Sequence, residues 1–339
     1  MEIGLFHGIQ WPEGSGQRDR YRQGLEQACA ADERGFDSVW LTEHHFSRHG
    51  IVSDSLALLA HLAARTDRVR LGTAVSVLPL HNPLRFAETA ATVDVLSGGR
   101  LDLGIGRGYQ ASEFSGFGVD IAEKHARFDE AVEVLRLAWG ADAPFTHHGS
   151  YFQYEGAAPQ PRPLQQPHPP IWVATDSPEG LASCVEREWG VLLPQGTSLS
   201  RTATSMARYH DALRAGGKGP RHAKVFLARA TYVAKTDEQA WEDAARPYEQ
   251  FLALADQLRR GTKPGASGSG RSPFDLDADM AQSVLFGSPE TVLEGLRAIR
   301  ALGIERVMVY VHLGALPHEK IMQSLDLFAR EVLPAAREL

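Results

Sequence analysis

Cysteine is scarce. Cys29 and Cys184 are the only two in 339 residues, and their separation suits no metal site. That usage fits a reducing compartment, so a cytoplasmic location is expected. Long apolar runs are missing: none approaches the ~20 residues of a membrane span. The opening "MEIGLFHGIQWPEG" lacks the basic start and apolar stretch of a secretion signal. Basic charge is also short. With 35 Lys and Arg against 42 Asp and Glu, the net charge of −7 leaves no field for nucleic acid or an anionic membrane. What is present, 43% hydrophobic and 23% charged residues, is the balance of an ordinary globular chain.

Short apolar runs alternate with longer amphipathic ones. Strands are expected at Ile3–His7, Ser38–Thr42, Val69–Val77, Leu101–Ile105, Pro170–Ala174, Val191–Leu193, Val225–Val233 and Arg306–Val311. Helical patterns fall near 19–34, 54–65, 83–97, 124–139, 178–188, 200–215, 236–258, 289–301 and 317–337. Strand–helix repetition implies parallel strands with crossover helices. Eight such units close most economically into a single-domain (β/α)8 TIM barrel with loop insertions at its C-terminal face. An open doubly wound sheet would want a Gly-rich turn after the first strand, and "FHGIQWPEG" matches that poorly. Punctuation agrees with these boundaries: Asn82 caps a helix that Pro83 begins and Gly98 stops. Two stretches break the alternation. Residues 147–170 form a long connection with room for a short hairpin. Residues 259–283 begin with "RRGTKPGASGSGRSPF", either a plain surface loop or a lid over the barrel mouth.

In a barrel, chemistry sits where strands end at the C-terminal face. The second strand ends in Glu43-His44-His45-Phe46. A zinc site would want His-x-His or a helical H-E-x-x-H. Adjacent residues leaving a strand point apart, so His44 and His45 are not expected to share an ion, and no metal is expected. One inward imidazole suffices for acid–base work; the bland alternative is a pair of surface loop histidines. Gly72, Thr73 and Ala74 on the third strand either admit a flat ligand or simply fit a narrow interior. The fourth strand ends in Gly104-x-Gly106-Arg107-Gly108 followed by Tyr109. Glycines expose backbone amides and arginine binds a phosphate or carboxylate in two-pronged fashion. The fifth strand runs from Ala174 through Thr175, Asp176 and Ser177 into a helix start, where amides and the dipole favour an anion. Plain capping by Ser177 is the competing reading, since Ser288 heads a similar start.

These residues carry a resemblance over nearly the whole chain. "GFDSVWLTEHHFSRHG", "LGTAVSVLPLHNPLRFAETAATVDVLSGGRLDLGIGRGYQASEFSGFG", "PIWVATDSPEG" and "LPHEKIMQSLDLFAREVLP" resemble the bacterial luciferase-like family of flavin-dependent monooxygenases, especially its luciferase α-subunit branch. The resemblance implies a (β/α)8 barrel, often a homodimer. It also implies reduced FMN delivered by a separate flavin reductase, and O2 adding at the flavin C4a position to give a peroxide that oxidises a small organic substrate. His44 matches the family's catalytic histidine and Arg107 its phosphate arginine. Ala74-Val75 matches the segment under the flavin ring, often a cis peptide. Gly108, Tyr109, Ala174, Thr175, Asp176 and Ser177 fall in the cofactor-binding segments. Position 106 is Gly where luciferase α subunits carry cysteine, so light emission is not implied. Phe6, Glu43, His45 and Phe114 are candidates for the substrate pocket; Trp11 and Phe117 would also suit an aromatic or long-chain carbonyl substrate. Two other readings stand beside this one: a deazaflavin-dependent hydride-transfer enzyme, and a non-catalytic flavin-binding barrel subunit.

Overall fold

The computed structural model describes residues 1–260 and 280–339. Its strands, in chain order, are β1 Glu2–His7, β2 Ser38–Leu41, β3 Arg70–Thr73, β4 Ser76–Val77, β5 Leu101–Gly106, β6 Phe145–His148, β7 Gln153–Ala157, β8 Ile171–Ala174, β9 Gly190–Leu193, β10 Val225–Val233, β11 Val284–Gly287 and β12 Arg306–Tyr310. Parallel pairing runs β1, β2, β3, β5, β8, β9, β10, β12 and returns to β1. Helices cover the outside, so this is the expected closed parallel barrel.

The sequence expectation departs from the structure in three places. The third strand is interrupted: the Ala74–Val75 peptide is cis, and β4 pairs with the end of β5 while β3 pairs with its beginning. Val284–Gly287 adds a strand against the upper half of β10, a run too short to separate by periodicity from the helix after it. The hairpin allowed for in 147–170 exists, but it starts earlier, at Phe145. The proposed lid falls mostly on residues 261–279, outside the described residues.

Register explains how so narrow a barrel is filled. Side chains alternate along a strand, and the paired residues Phe6↔Trp40, Trp40↔Gly72, Gly104↔Trp172, Trp172↔Gly190 and Phe226↔Leu192 place one set of residues inside. Trp40, Trp172 and Phe226 meet there with centroids 4.9–6.0 Å apart, in the edge-on arrangements aromatic rings prefer. Their polar edges are satisfied: Trp40 Nε1 donates to Ser38 Oγ at 2.8 Å, and Trp172 Nε1 to Asp102 Oδ1 at 3.0 Å. Space for these rings comes from glycine. A Cβ on Gly72 would lie 2.2 Å from the Trp40 ring, and one on Gly190 would lie 2.0 Å from Trp172. Gly72 is thus explained by the narrow interior alone. Ala74, two residues nearer the C-terminal face, lines a cavity above the plug. The two readings of the third strand therefore divide between neighbouring inward positions.

Candidate active site

Above the aromatic plug lies a cavity of about 480 Å³ at the C-terminal ends of the strands. Ring order fixes what faces what. Four steps around eight strands is half a turn, so β5 lies opposite β12, and β8 opposite β1.

On one side, β5 ends in Gly106, Arg107 and Gly108. Gly108 has φ of 73°, a left-handed conformation that disfavours side chains. The Arg107 guanidinium lies 5.2 Å from the Phe128 ring centroid, and its Nε is shielded without a hydrogen-bond partner among the described residues. A buried charged donor left alone is costly unless a ligand meets it. Lys124 and His125, at the start of helix Lys124–Gly140, line the same side. Next to them β8 delivers Ala174, Thr175, Asp176 and Ser177 to the cavity. Ser177 Oγ caps helix Pro178–Arg187 by accepting from Gly180 N–H at 3.1 Å, so the capping reading of this serine is correct as far as its hydroxyl goes. Asp176 also borders a second hollow that contains Arg201 and Arg208. Its carboxylate therefore belongs to a locally basic surround, which removes much of the objection to an acid beside an anion site.

A quarter turn around the ring from β5, β2 supplies the histidines. His44 and His45 diverge as their adjacency requires. His44 Nδ1 lies 3.1 Å from Glu113 Oε1 and 3.0 Å from Gln110 Nε2. Glu113 Oε1 also accepts the His45 backbone N–H at 3.0 Å, and Glu113 is 1% exposed. An ionised carboxylate only accepts, so the His44 proton sits on Nδ1. Gln110 Oε1 is shielded and unpartnered; turning its amide over pairs that oxygen with the same proton. His44 Nε2 is then the basic atom.

His45 instead donates to Glu43 Oε1 at 3.1 Å and sets its ring against Phe117 at 4.7 Å. Glu43 also accepts from His81 Nε2 at 2.9 Å. Burial alone would raise the Glu43 pKa, but the hydrogen bonds from His45 and His81 outweigh it and hold the group down at about 2. Burial likewise pulls His81 down, and its hydrogen bond to Glu43 more than compensates. The carboxylate's contribution is present above its ordinary pKa of 4.5 and fades as pH falls toward 2. The imidazole's is present below 6.5 and fades as pH rises beyond it. Glu43→Gln should therefore lower unfolding free energy by about 3 kcal/mol at about pH 5.5. Urea melts across pH should show the gap to wild type closing as pH falls through the acid range. A gap independent of pH would contradict this account.

The structure brings together Phe6, Glu43, His44, Ala74, Val75, Arg107, Gly108, Tyr109, Ala174, Thr175, Asp176 and Ser177 around one cavity. Two expected pocket residues do not line it. His45 turns away from the cavity to Glu43. Phe114, on the short helix Ala111–Gly116, is buried beneath Gly108, where an added Cβ would lie 2.8 Å from its ring. Trp11 stacks under the Arg48 guanidinium at 3.9 Å, and Phe117 packs with Phe46 at the surface; neither lines the cavity. Conversely, the sequence reading missed Gln110 and Glu113, and left His49 without a role. His49 lines the cavity together with Phe251 and Tyr310. A glutamine and a glutamate three apart, just after the Gly-Arg-Gly turn, share one face of a helix and were the available signal. Phe251 gave none, since it comes from a helix some two hundred residues further along the chain.

Known proteins of the same build exist. The chain is 29% identical to the oxygenase component of the flavin-dependent trigonelline monooxygenase of Acinetobacter baylyi, covering 100% of this chain and 96% of that one. It is 30% identical to the 4-hydroxyprotoasukamycin monooxygenase of Streptomyces nodosus subsp. asukaensis, over 98% and 92% of the two chains. The crystal structure of the monooxygenase RslO1 from Streptomyces bottropensis superposes with a TM-score of 0.88 at 30% identity, over 99% of each chain. The family model for luciferase-like monooxygenases matches residues 1–306, and the chain belongs to that family.

Proposed function

We propose that the protein is the oxygenase component of a two-component system. It takes reduced FMN from a separate flavin reductase and uses O2 to place one oxygen atom on a small organic substrate. The observation that carries this is the convergence, on one cavity, of an arginine whose shielded Nε has no partner among the described residues, a helix start beside it, and an imidazole whose second nitrogen is held by a carboxylate. The residues fit the cofactor. Arg107, Thr175, Ser177 and the first turn of helix Pro178–Arg187 would hold the phosphate, and Ala74 and Val75 would form a wall for the flat ring. Bound reduced flavin supplies the electrons that activate O2. His44 Nε2 then accepts or returns a proton at the reacting centre, while Glu113 keeps Nδ1 protonated and the ring oriented. The apolar walls around it limit access of water. The working assembly is proposed as a homodimer.

Titration under anaerobic conditions tests the cofactor assignment. Reduced FMN should saturate the protein's fluorescence change, and the deazaflavin F420 should not. A chain that binds F420 and ignores FMN belongs with hydride transfer. Oxygen uptake with an added reductase, stimulated by substrate, separates an oxygenase from a non-catalytic flavin-binding subunit.

A further inference from the structure

The wall opposite the anion side is aromatic. Phe6 and Tyr310 meet at 5.1 Å, Tyr310 and Phe251 at 5.4 Å, and the His49 imidazole lies flat on Phe251 at 4.6 Å and 14°. The His49 edge then abuts His44 at 4.8 Å. The polar groups of this wall are mostly used up. Tyr310 Oη accepts from Gln10 Nε2 at 2.6 Å. Glu43 and Glu113 are engaged by imidazoles, and among the described residues no Lys or Arg lines this side. Tyr310 keeps its own hydroxyl proton to donate, and Thr42 Oγ1, which also lines the cavity, is shielded without a partner among the described residues. Among the rings of the wall, His49 is the least engaged. It is 5% exposed, its Nδ1 is shielded without a partner, and neither ring nitrogen hydrogen-bonds a described residue. Burial holds its pKa well below the usual histidine value, with His44 adding to the effect, so it is a neutral ring.

We infer that the wall formed by His49, Phe251, Tyr310 and Phe6 is a subsite for a neutral, planar aromatic compound bearing a hydroxyl group, with His49 as the residue that binds the hydroxyl. Flat rings lying edge-on or offset favour an aromatic guest. Absence of a free cation on this wall, among the described residues, disfavours a carboxylate or sulfonate. The matching absence of a free carboxylate disfavours a substituted ammonium, although aromatic faces alone attract cations. A neutral imidazole offers one N–H and one lone pair; a hydroxyl, donor and acceptor at once, suits either tautomer. The subsite adjoins His44, so the hydroxylated ring would sit beside the group proposed to move protons. That placement rests on the proposed function; the subsite itself does not.

Calorimetric titration of the whole protein, with and without FMN, tests it using four probes of one shape: 4-ethylphenol, 4-ethyltoluene, 4-ethylbenzoate and 4-ethyl-N-methylpyridinium. The phenol should bind about tenfold tighter than 4-ethyltoluene, the worth of one buried neutral hydrogen bond. It should also bind tighter than either charged probe. His49→Phe keeps a flat ring and should bring the phenol to the level of the hydrocarbon without changing FMN affinity. His49→Asn should recover part of the preference. The inference is overturned if the preference survives in His49→Phe, if a charged probe binds tightest, or if no probe binds. Loss of FMN binding in the wild type would instead sink the flavin reading and leave the probe result intact.

Discussion

His44→Ala is expected to lower substrate-dependent turnover by roughly 10²- to 10⁴-fold, the usual contribution of a positioned acid–base group. FMN affinity should stay within about threefold, because an imidazole on this side makes no contact with the phosphate end and contributes little to ground-state binding. The size of the effect follows from preorganisation. Glu113 and Gln110 converge on Nδ1, which fixes both the tautomer and the ring plane before substrate arrives. Glu113→Gln leaves an acceptor in place but removes the charge, so it should reduce turnover less than His44→Ala and shift the pH profile. The check is steady-state kinetics with saturating reduced FMN, paired with product analysis. Undiminished product formation in His44→Ala would end its assignment as the proton-handling group.

Much of this site was legible because barrel geometry filters the sequence. Once strand and helix alternate, polar residues just past each strand must converge, and the strand ends carrying His44, Arg107 and Ser177 stand out that way. Adjacency implied only that His44 and His45 point apart, and the family resemblance singled out His44; the structure sends the two to different carboxylates. What escaped was whatever depends on long-range packing. Glu113 reads as an ordinary helix-surface acid until the helix Ala111–Gly116 comes against the segment after β2, where Glu113 meets the His44 ring and the His45 amide. His49 reads as a loop residue until Phe251 arrives to cover it. Phe114 failed in the opposite sense: an aromatic near a mouth fills the core behind it as readily as it faces the ligand. The glycines of β3 and β5 show the same ambiguity resolved. Gly72 serves the Trp40 ring, whereas a Cβ on Gly104 would lie 1.8 Å from the Thr73 carbonyl oxygen, so that position serves the close approach of two strands.

The other large effect is expected at Arg107. Arg107→Ala should weaken FMN binding by about 100-fold, corresponding to the ~3 kcal/mol that a charge-assisted contact to phosphate contributes in a shielded setting. Riboflavin, which lacks the phosphate, separates this from a general disturbance of the pocket: its affinity should change by no more than about twofold. Arg107→Lys should recover only part of the loss, because a lysine keeps the charge but not the planar two-pronged geometry. The structural ground is that Arg107 is held in readiness. Its guanidinium rests on Phe128 and its Nε is shut away with no acceptor among the described residues. Removing it leaves the helix start at Ser177 as the main remaining anion site on that side, and a helix terminus alone supplies a smaller share. If Arg107→Ala weakened FMN and riboflavin equally, the arginine would be supporting the cavity rather than reading the phosphate, and the anion end would have to be assigned to Lys124 and the β8 turn instead.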